Sequence, residues 1–362
     1  MNEVVQLVLA KVKKPPLDVS RYPTGLDQKV RDFEELLKQQ QIGVTRVIGI
    51  VGLGGIGKTT LAKEIFNRER SNYRQSCFLF DIREKSLTTL QSDLIKDMTQ
   101  LNEQIRSTDE GKGNLKRNLS SKQALIILDN VDHSSQLDAL LLPAKDALHP
   151  SSLILVTSRD KQLLINNDIN ESAIYKLECL NQQHSQELFC LHAFDQPRPV
   201  AEFEVLVSKF VGACGGLPLS LTVIAAFLRG RNDLTYWTAQ LLKISNMLPD
   251  DIQSRLKISY DSLDDDDKQI FLDIACFFLG EDRDTAIQIW KGLDLDGWLG
   301  LWNLQNKCLI EVDSKNNIIM HDHLRDLGRD IGEKNSPYRF CRLTQNILDN
   351  LPEKLIVRIL KH

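Results

Sequence analysis

The sequence predicts an α/β domain, a parallel sheet covered by helices, followed by a helical region and a small helix-and-hairpin module. Four observations carry that prediction. Short apolar runs at Val47–Val51, Cys77–Asp81, Ala124–Leu128 and Leu153–Thr157 read as strands buried on both faces. They alternate with stretches of helical periodicity, among them Thr88–Leu101 and Ser134–Leu142, which is the order of a parallel sheet with crossover helices. Residues 172–248 then read as helical, with apolar spacing in Glu187–Phe194, Phe203–Val211 and Leu217–Leu228. After further helices from Ser254, the run Cys308–Val312, the polar turn Asp313–Asn317 and Ile318–Met320 form a β-hairpin. A hairpin after helices is consistent with a winged helix.

Composition narrows the class. The 362 residues are 42% hydrophobic and 26% charged, enough for two or three folded domains. Lys and Arg total 45 against 49 Asp and Glu, a net charge of −4, which disfavours a globally basic nucleic-acid binder. No apolar run approaches the ~20 residues of a membrane span. Met1–Lys14 is apolar then basic, but no small-residue cleavage site follows. The seven cysteines are odd in number, scattered and without zinc spacing, so most are expected to be buried thiols in a reducing compartment.

The strand Val47–Val51 runs into Gly52-x4-Gly57-Lys58-Thr59, the full phosphate-loop pattern, and Leu61, Ala62, Ile65 and Phe66 then fall at helical spacing. Strand, glycine loop, helix is the context this motif requires. Gly52, Gly54, Gly55 and Gly57 let the backbone curl around Ile56 so that its N–H groups converge on phosphate oxygens. The helix N-terminus adds a favourable dipole end. Lys58 is the residue to reach the β- and γ-phosphates, and the Thr59 hydroxyl suits a Mg²⁺ ligand. Thr60 adds a hydroxyl near the α-phosphate. Asp129, at the tip of Ala124–Leu128, is the expected acidic partner of the Thr59-bound metal, with a plain strand-to-turn Asp as the alternative. Arg159, just past Leu153–Thr157, is placed to sense a γ-phosphate; a surface charge or salt bridge is its other reading.

With these residues in hand, the chain resembles the NB-ARC domain of plant intracellular immune receptors, the NBS-LRR disease-resistance proteins. These are STAND-type P-loop NTPases, and they are related to animal apoptotic activators. The resemblance rests on motifs in order over residues 20–340: Tyr22–Leu26, Gly52–Thr60, Leu128–Asp132, Leu155–Asp160, Tyr175–Glu178 with Glu187–Phe194, Gly215–Leu219, Phe271–Phe278 and Met320–Asp322. Phe271–Phe278 and Asp132 resemble the class with an N-terminal TIR domain. The resemblance implies an α/β P-loop NTPase domain (20–170), a helical domain (171–250), a winged-helix domain (251–340) and a short stub (341–362) toward leucine-rich repeats. Asn346–His362 is itself too short to show such a repeat. Full-length relatives carry a TIR domain and leucine-rich repeats, and neither is found here. The expectation is therefore a fragment, a truncated product or a stand-alone core.

The resemblance also implies roles. Pro23 packs near adenine, Pro218 lines the adenine pocket, and His321 contacts the β-phosphate of ADP. The candidate nucleotide-binding set is thus Pro23, Gly52, Gly54, Gly55, Ile56, Gly57, Lys58, Thr59, Thr60, Arg159, Pro218 and His321. Lys58, Asp129 and Arg159 are the catalytic candidates, and Thr59 and Asp129 the Mg²⁺ ligands. The implied function is an ADP/ATP switch in disease resistance, acting in the cytoplasm or between nucleus and cytoplasm. Its expected partners are other receptor protomers, signalling proteins, or paired proteins that supply the absent domains. One departure matters: Asn130 stands where relatives commonly have a second acid. An amide cannot act as a base, so hydrolysis is expected to be slow at most.

Other readings compete. One is a conventional ATPase. Another is a winged-helix DNA-binding regulator, disfavoured by the acidic run Asp264–Asp267, which reads as a solvated turn and a favourable acidic N-terminus for the helix Lys268–Leu279. A third is a non-switching adaptor. His321 and His323 flank Asp322 like a metal pair but lack a third ligand at plausible spacing. Within the first domain, the polar stretch Ser107–Asn114 reads as a linker.

Overall fold

The four apolar runs become parallel strands, and a short fifth strand that the sequence did not mark joins them. In the computed structural model, which describes residues 15–40, 43–245 and 252–335, the chain opens with α1 (Leu26–Gln39), β1 (Arg46–Val51) and α2 (Lys58–Glu69). Next come β2 (Gln75–Leu79), α3 (Leu87–Thr99), α4 (Thr108–Leu119), β3 (Ala124–Val131) and α5 (Ser134–Ala147). β4 (Leu153–Ser158), the short α6 (Lys161–Ile165) and β5 (Ile174–Lys176) complete the sheet region. The strand order is β2-β3-β4-β1-β5, with every pairing parallel. β4 therefore lies between β1 and β3. Every residue of β4 is buried, and so are all residues of β3 except Asn130. Strands covered on both faces read as unbroken apolar runs, which is why they were legible.

The stretch Ser107–Asn114 is a correction: it forms the first half of α4 rather than a linker. Ser107 is the N-cap, its side chain accepting the Glu110 N–H at 3.2 Å. Asp109 and Glu110 occupy the first turn, where the helix dipole favours acids. Gly111, which suggested flexibility, is a close-approach position, because a Cβ there would overlap the buried Gln91 amide. That amide donates to the Thr108 and Ala139 carbonyls, both at 3.1 Å.

The described residues group into two compact units. One runs up to Gly52 and resumes over Lys58–Leu177; the other takes Leu53–Gly57 together with the chain from Glu178 onward. The second unit is helical: α7 (Gln182–Phe194), α8 (Glu204–Cys214), α9 (Pro218–Leu228), α10 (Leu234–Ser245), α11 (Ile252–Asp261) and α12 (Asp265–Asp273). α12 continues into a π-helical turn, Ile274–Phe278. α13 (Arg283–Lys291), α14 (Gly297–Asn306), β6 (Glu311–Val312), β7 (Ile318–Ile319) and α15 (Asp322–Asn335) follow. Buried Trp237 organises the helices after Glu178, with Phe189, Phe194, Phe203 and Phe210 packed around its ring. A second apolar cluster joins α11–α15 and the hairpin, and includes Val223 of α9.

Two further expectations change here. The run Cys308–Val312 pairs as a strand only at Glu311 and Val312, antiparallel to Ile318 and Ile319. Cys308 adopts a left-handed φ of 54° and turns the chain, so that Leu309 and Ile310 enter the core. Asp264–Asp267 is not wholly a solvated turn. Asp264 caps α12 by accepting the Asp267 N–H at 2.8 Å, while the Asp267 carboxylate is buried and accepts from Asn303 Nδ2 at 2.9 Å. Of the six cysteines among the described residues, Cys77, Cys190 and Cys214 are buried and the other three half-buried, all as free thiols. The segments Met1–Lys14 and 341–362, where a leader and a repeat stub were considered, lie outside the described residues. Among the described residues no helix is long and apolar enough to cross a membrane.

Candidate functional site

In the first unit the chemistry gathers at the C-terminal ends of β1, β3 and β4, where parallel sheets offer their ligand sites. Lys58 is the first residue of α2 and is buried, with its Nζ donating to the Gly52 carbonyl at 2.8 Å. Thr59 follows it, and its Oγ1 lies 3.1 Å from both carboxylate oxygens of Asp129. Asp129 is 2% exposed, and its Oδ1 also accepts from Thr157 Oγ1 at 2.6 Å.

The placement of Asp129 has a local cause. The β3–β4 register breaks between Leu128 and Val131, with Val131 rejoining opposite Ser158. Asn130 occupies the irregularity at φ 62°, a left-handed conformation that Asn tolerates well. A bulge of this kind re-aims neighbouring side chains and is common beside functional sites. Thr157, on the strand between β1 and β3, ties the bulge down by accepting the Asn130 N–H at 2.9 Å while donating to Asp129. The role of Thr157 escaped sequence reasoning, because a threonine within an apolar strand carries no signal of its own.

Asn130 points its amide at Asp81, Nδ2 to Oδ1 at 3.4 Å, and Asp81 sits just past β2 at φ 46°. Asp81 is a second acid near the bulge that no motif marked. Arg159 lies one residue beyond β4 and lines a cavity of about 70 Å³ with Asn130, Asp132, Ser158, Asp160 and Arg83. The rim carries an ion pair, Arg83 Nε to Asp132 Oδ2 at 3.3 Å. A larger cavity of about 410 Å³ opens at the other end of the sheet, by Gln75 and Gln123 at the starts of β2 and β3. The smaller cavity is the one that adjoins the C-terminal strand ends. Pro23 belongs to a turn ahead of α1, where the Leu26 N–H donates to its carbonyl at 3.2 Å. Thr60 is half-buried in the first turn of α2.

The middle of the phosphate loop, Leu53–Gly57, belongs to the second unit. Gly55 (φ 76°) and Gly57 (φ 98°) are left-handed, the conformation glycine adopts without strain. Ile56 is buried between them. The Leu219 N–H donates to the Gly55 carbonyl at 3.2 Å, and a Cβ at Gly55 would meet Leu219 Cβ at 2.7 Å. Leu219 follows Pro218, which starts α9 at its first helical position after the left-handed pair Gly215 and Gly216.

His321 is exposed and precedes α15. Its Nδ1 accepts the His323 N–H at 3.3 Å, which assigns the ring proton to Nε2 and leaves that nitrogen as a donor. Asp322 faces inward to Arg325, Oδ1 to Nη2 at 3.1 Å, and Arg325 is completely buried. The His321–Asp322 pair thus divides into an outward donor and an inward structural anchor. His323, unassigned by the sequence, has its imidazole against Gly54.

Chemically, the first-unit cluster fits a hard divalent cation and a polyphosphate. It offers a hydroxyl, a buried carboxylate and a lysine at the mouth of a glycine loop. Among the described residues no group of three or more His, Cys, Asp or Glu side chains could hold a metal ion alone. Remaining oxygens would have to come from the nucleotide and water, the usual arrangement for Mg²⁺.

Comparison with known proteins agrees with this architecture. Residues 26–198 match the NB-ARC domain, and residues 264–336 match the winged-helix domain described as disease resistance protein Roq1-like. Disease resistance protein RPV1 of Vitis rotundifolia is 36% identical over 343 residues, covering 93% of this chain and 24% of that protein. TMV resistance protein N of Nicotiana glutinosa is 34% identical over 337 residues, covering 91% of this chain and 29% of that protein. The chain therefore spans about a quarter of the length of such relatives. Among solved structures, a STAND protein with a tetratricopeptide repeat sensor from Pyrococcus horikoshii superposes with a TM-score of 0.55 at 14% identity. It covers 97% of this chain and 51% of that one, and at this identity it speaks for the fold alone. The chain belongs to the NB-ARC family, in the plant disease-resistance class whose winged-helix domain is Roq1-like.

Proposed function

We propose that this chain binds ADP and ATP and serves as the nucleotide-controlled switch of a plant disease-resistance protein, closed with ADP and assembling with ATP. The observation that carries the reading is Asp129, a buried carboxylate aimed by a β-bulge to within 3.1 Å of the phosphate-loop Thr59 hydroxyl. Gly52, Gly54, Gly55, Ile56 and Gly57 would supply backbone donors to the phosphates. Lys58 would leave its own loop carbonyl for a phosphate oxygen, and Thr60 would add a hydroxyl. Thr59 and Asp129 would hold Mg²⁺, which when bound supplies charge neutralisation along the phosphate chain.

The same reading gives Pro23 and Pro218 to adenine. It gives His321 to the β-phosphate, since its Nε2 is left as a donor once Nδ1 accepts the His323 N–H. Arg159, beside Asn130 at the end of β4, is the group to register a γ-phosphate. A nucleotide can shift the switch only by binding its two states with different affinity. Differing contacts by His321 and Arg159 are a means to that difference. Hydrolysis is at most slow, because Asn130 cannot take a proton from water. The switch would work in the cytoplasm or between nucleus and cytoplasm, with other receptor protomers or signalling proteins as partners. DNA binding is disfavoured by Asp264, Asp265 and Asp266 at the start of α12.

Calorimetric titration of ADP into the wild-type chain and Lys58→Ala tests the proposal. Saturable binding to the wild type and none to the variant is expected. Equal affinities would overturn it.

A further inference from the structure

Gly54 differs from its neighbours in the phosphate loop. Gly55 and Gly57 are left-handed, so backbone conformation explains them, whereas Gly54 lies outside that region. What excludes a side chain at position 54 is His323: a Cβ there would overlap the imidazole Nε2 and lie 3.0 Å from Cε1. Gly54 and His323 belong to the same compact unit. The His323 Nε2 is sealed from solvent, although the residue is only half-buried. His323 is therefore seated on the loop by the far edge of its ring.

The loop needs such a seat. A segment with glycine at 52, 54, 55 and 57 loses much conformational freedom when it curls, and its internal backbone bond, from the Ile56 N–H to the Leu53 carbonyl, is long at 3.4 Å. Within its own compact unit the loop is met at two adjacent points, by Leu219 on Gly55 and by His323 on Gly54. The His323 backbone N–H also holds His321 Nδ1, and the two rings lie parallel with centroids 6.0 Å apart. One residue thus touches the loop with its side chain and orients the neighbouring imidazole with its backbone.

We propose that His323 is a positioning residue of the nucleotide site, holding Leu53–Gly57 in its phosphate-binding curl so that its loss speeds release of a nucleoside diphosphate. This rests on the nucleotide reading above, and the experiment separates the two. The full chain is loaded with a fluorescent ADP analogue and chased with excess ADP, for wild type, Lys58→Ala, His323→Ala, His323→Asn and His323→Gln. Gln places its amide nitrogen where Nε2 lies, whereas Asn reproduces only the Nδ1 position. His323→Ala and His323→Asn are expected to release the analogue about tenfold faster, with His323→Gln close to wild type. Gly54→Ala is expected to speed release in the wild-type background and to add nothing to His323→Ala, because the overlapping ring is then gone.

Release from all three His323 variants at the wild-type rate overturns the proposal. So does equal impairment of the Asn and Gln variants, since a merely structural role would not tell them apart. A wild-type chain that takes up no analogue overturns the nucleotide reading and this proposal together. Uptake that depends on Lys58 but not on His323 overturns this one alone.

Discussion

The two units hold themselves together by different means. In the sheet unit, β3 and β4 form a continuous apolar slab, with Leu125, Ile126, Ile127 and Leu153–Val156 all at 1% exposure or less. Its buried polar groups include Asp129, Thr157 and Ser158 at the strand ends, where the chemistry is. The second unit instead buries charged side chains within its helical interior. Arg325 is fully buried against Asp322 and Asp326, and Asp267 is buried against Asn303. Its helices also approach so closely that Gly328 abuts Ala275, while Gly297 abuts Trp290. An apolar slab tolerates gradual loss of volume, whereas a buried charge fails abruptly when its partner goes. The contrast puts the rigid frame under the metal-binding candidates and a charge-dependent fastening under His321 and His323.

The largest test of that contrast is Asp322→Val. Removing one partner of a buried ion pair costs about 3–5 kcal/mol, chiefly because the remaining charge is left uncompensated. The Asp326 carboxylate, 3.7 Å from the Arg325 Nε, is a more distant partner than Asp322 at 3.1 Å. Amide hydrogen exchange in 322–335 and in the adjoining turn 274–278 is expected to accelerate strongly, with 124–131 unchanged. ADP retention is expected to weaken at the same time, since α15 carries His323 and His321 directly precedes it. Unchanged exchange in 322–335 would show that Arg325 does not depend on Asp322. The fastening would then be less charge-dependent than the comparison holds.

Ile126→Ala probes the sheet side with a smaller expected effect, about 3 kcal/mol for an isoleucine truncated in a packed core. Faster exchange is expected in β2, β3 and β4 together, because Ile126 is paired with Cys77 on one side and Ile154 on the other. A loss confined to β3 would contradict the continuous slab.

This difference also explains what the sequence could reveal. Strands covered on both faces leave a signature in composition alone, so Val47–Val51 and Leu153–Thr157 were readable within a residue or so of β1 and β4. The phosphate loop was readable because Gly, Lys and Thr at fixed spacing have few competing uses. The bulge at Asp129–Asn130 was not, since it depends on Thr157 from a neighbouring strand. Ser107–Asn114 misled because polar residues and Gly111 suit both a linker and a capped helix; the deciding contact, Gln91, lies on α3. His323 was passed over for a similar reason. Its partner is Gly54, some 270 residues earlier, and no local spacing announces that pairing.

The smallest test concerns Asp267, where the second unit pays for its polar interior. Burial is the main cause holding this carboxyl above its usual range, with Asp264 adding to the rise and Asn303 opposing it. A carboxyl whose pKa is higher folded than unfolded binds its proton more tightly in the folded chain. Ionisation therefore subtracts stability, fully so above the raised folded value and not at all below the ordinary carboxylate range. Asp267→Asn keeps a carbonyl oxygen for the Asn303 amide and removes the charge. The thermal midpoint of the variant is expected to exceed that of wild type at pH 7, by the equivalent of about 1 kcal/mol or less, and to converge with it near pH 3. The opposing influence is the start of α12, where a negative charge at the third position favours the helix dipole. A variant less stable at pH 7, and level with wild type at pH 3, would mean that this dipole contribution outweighs the burial cost. The buried acid would then stabilise α12 rather than strain it, and the contrast between the two interiors would narrow to Arg325 alone.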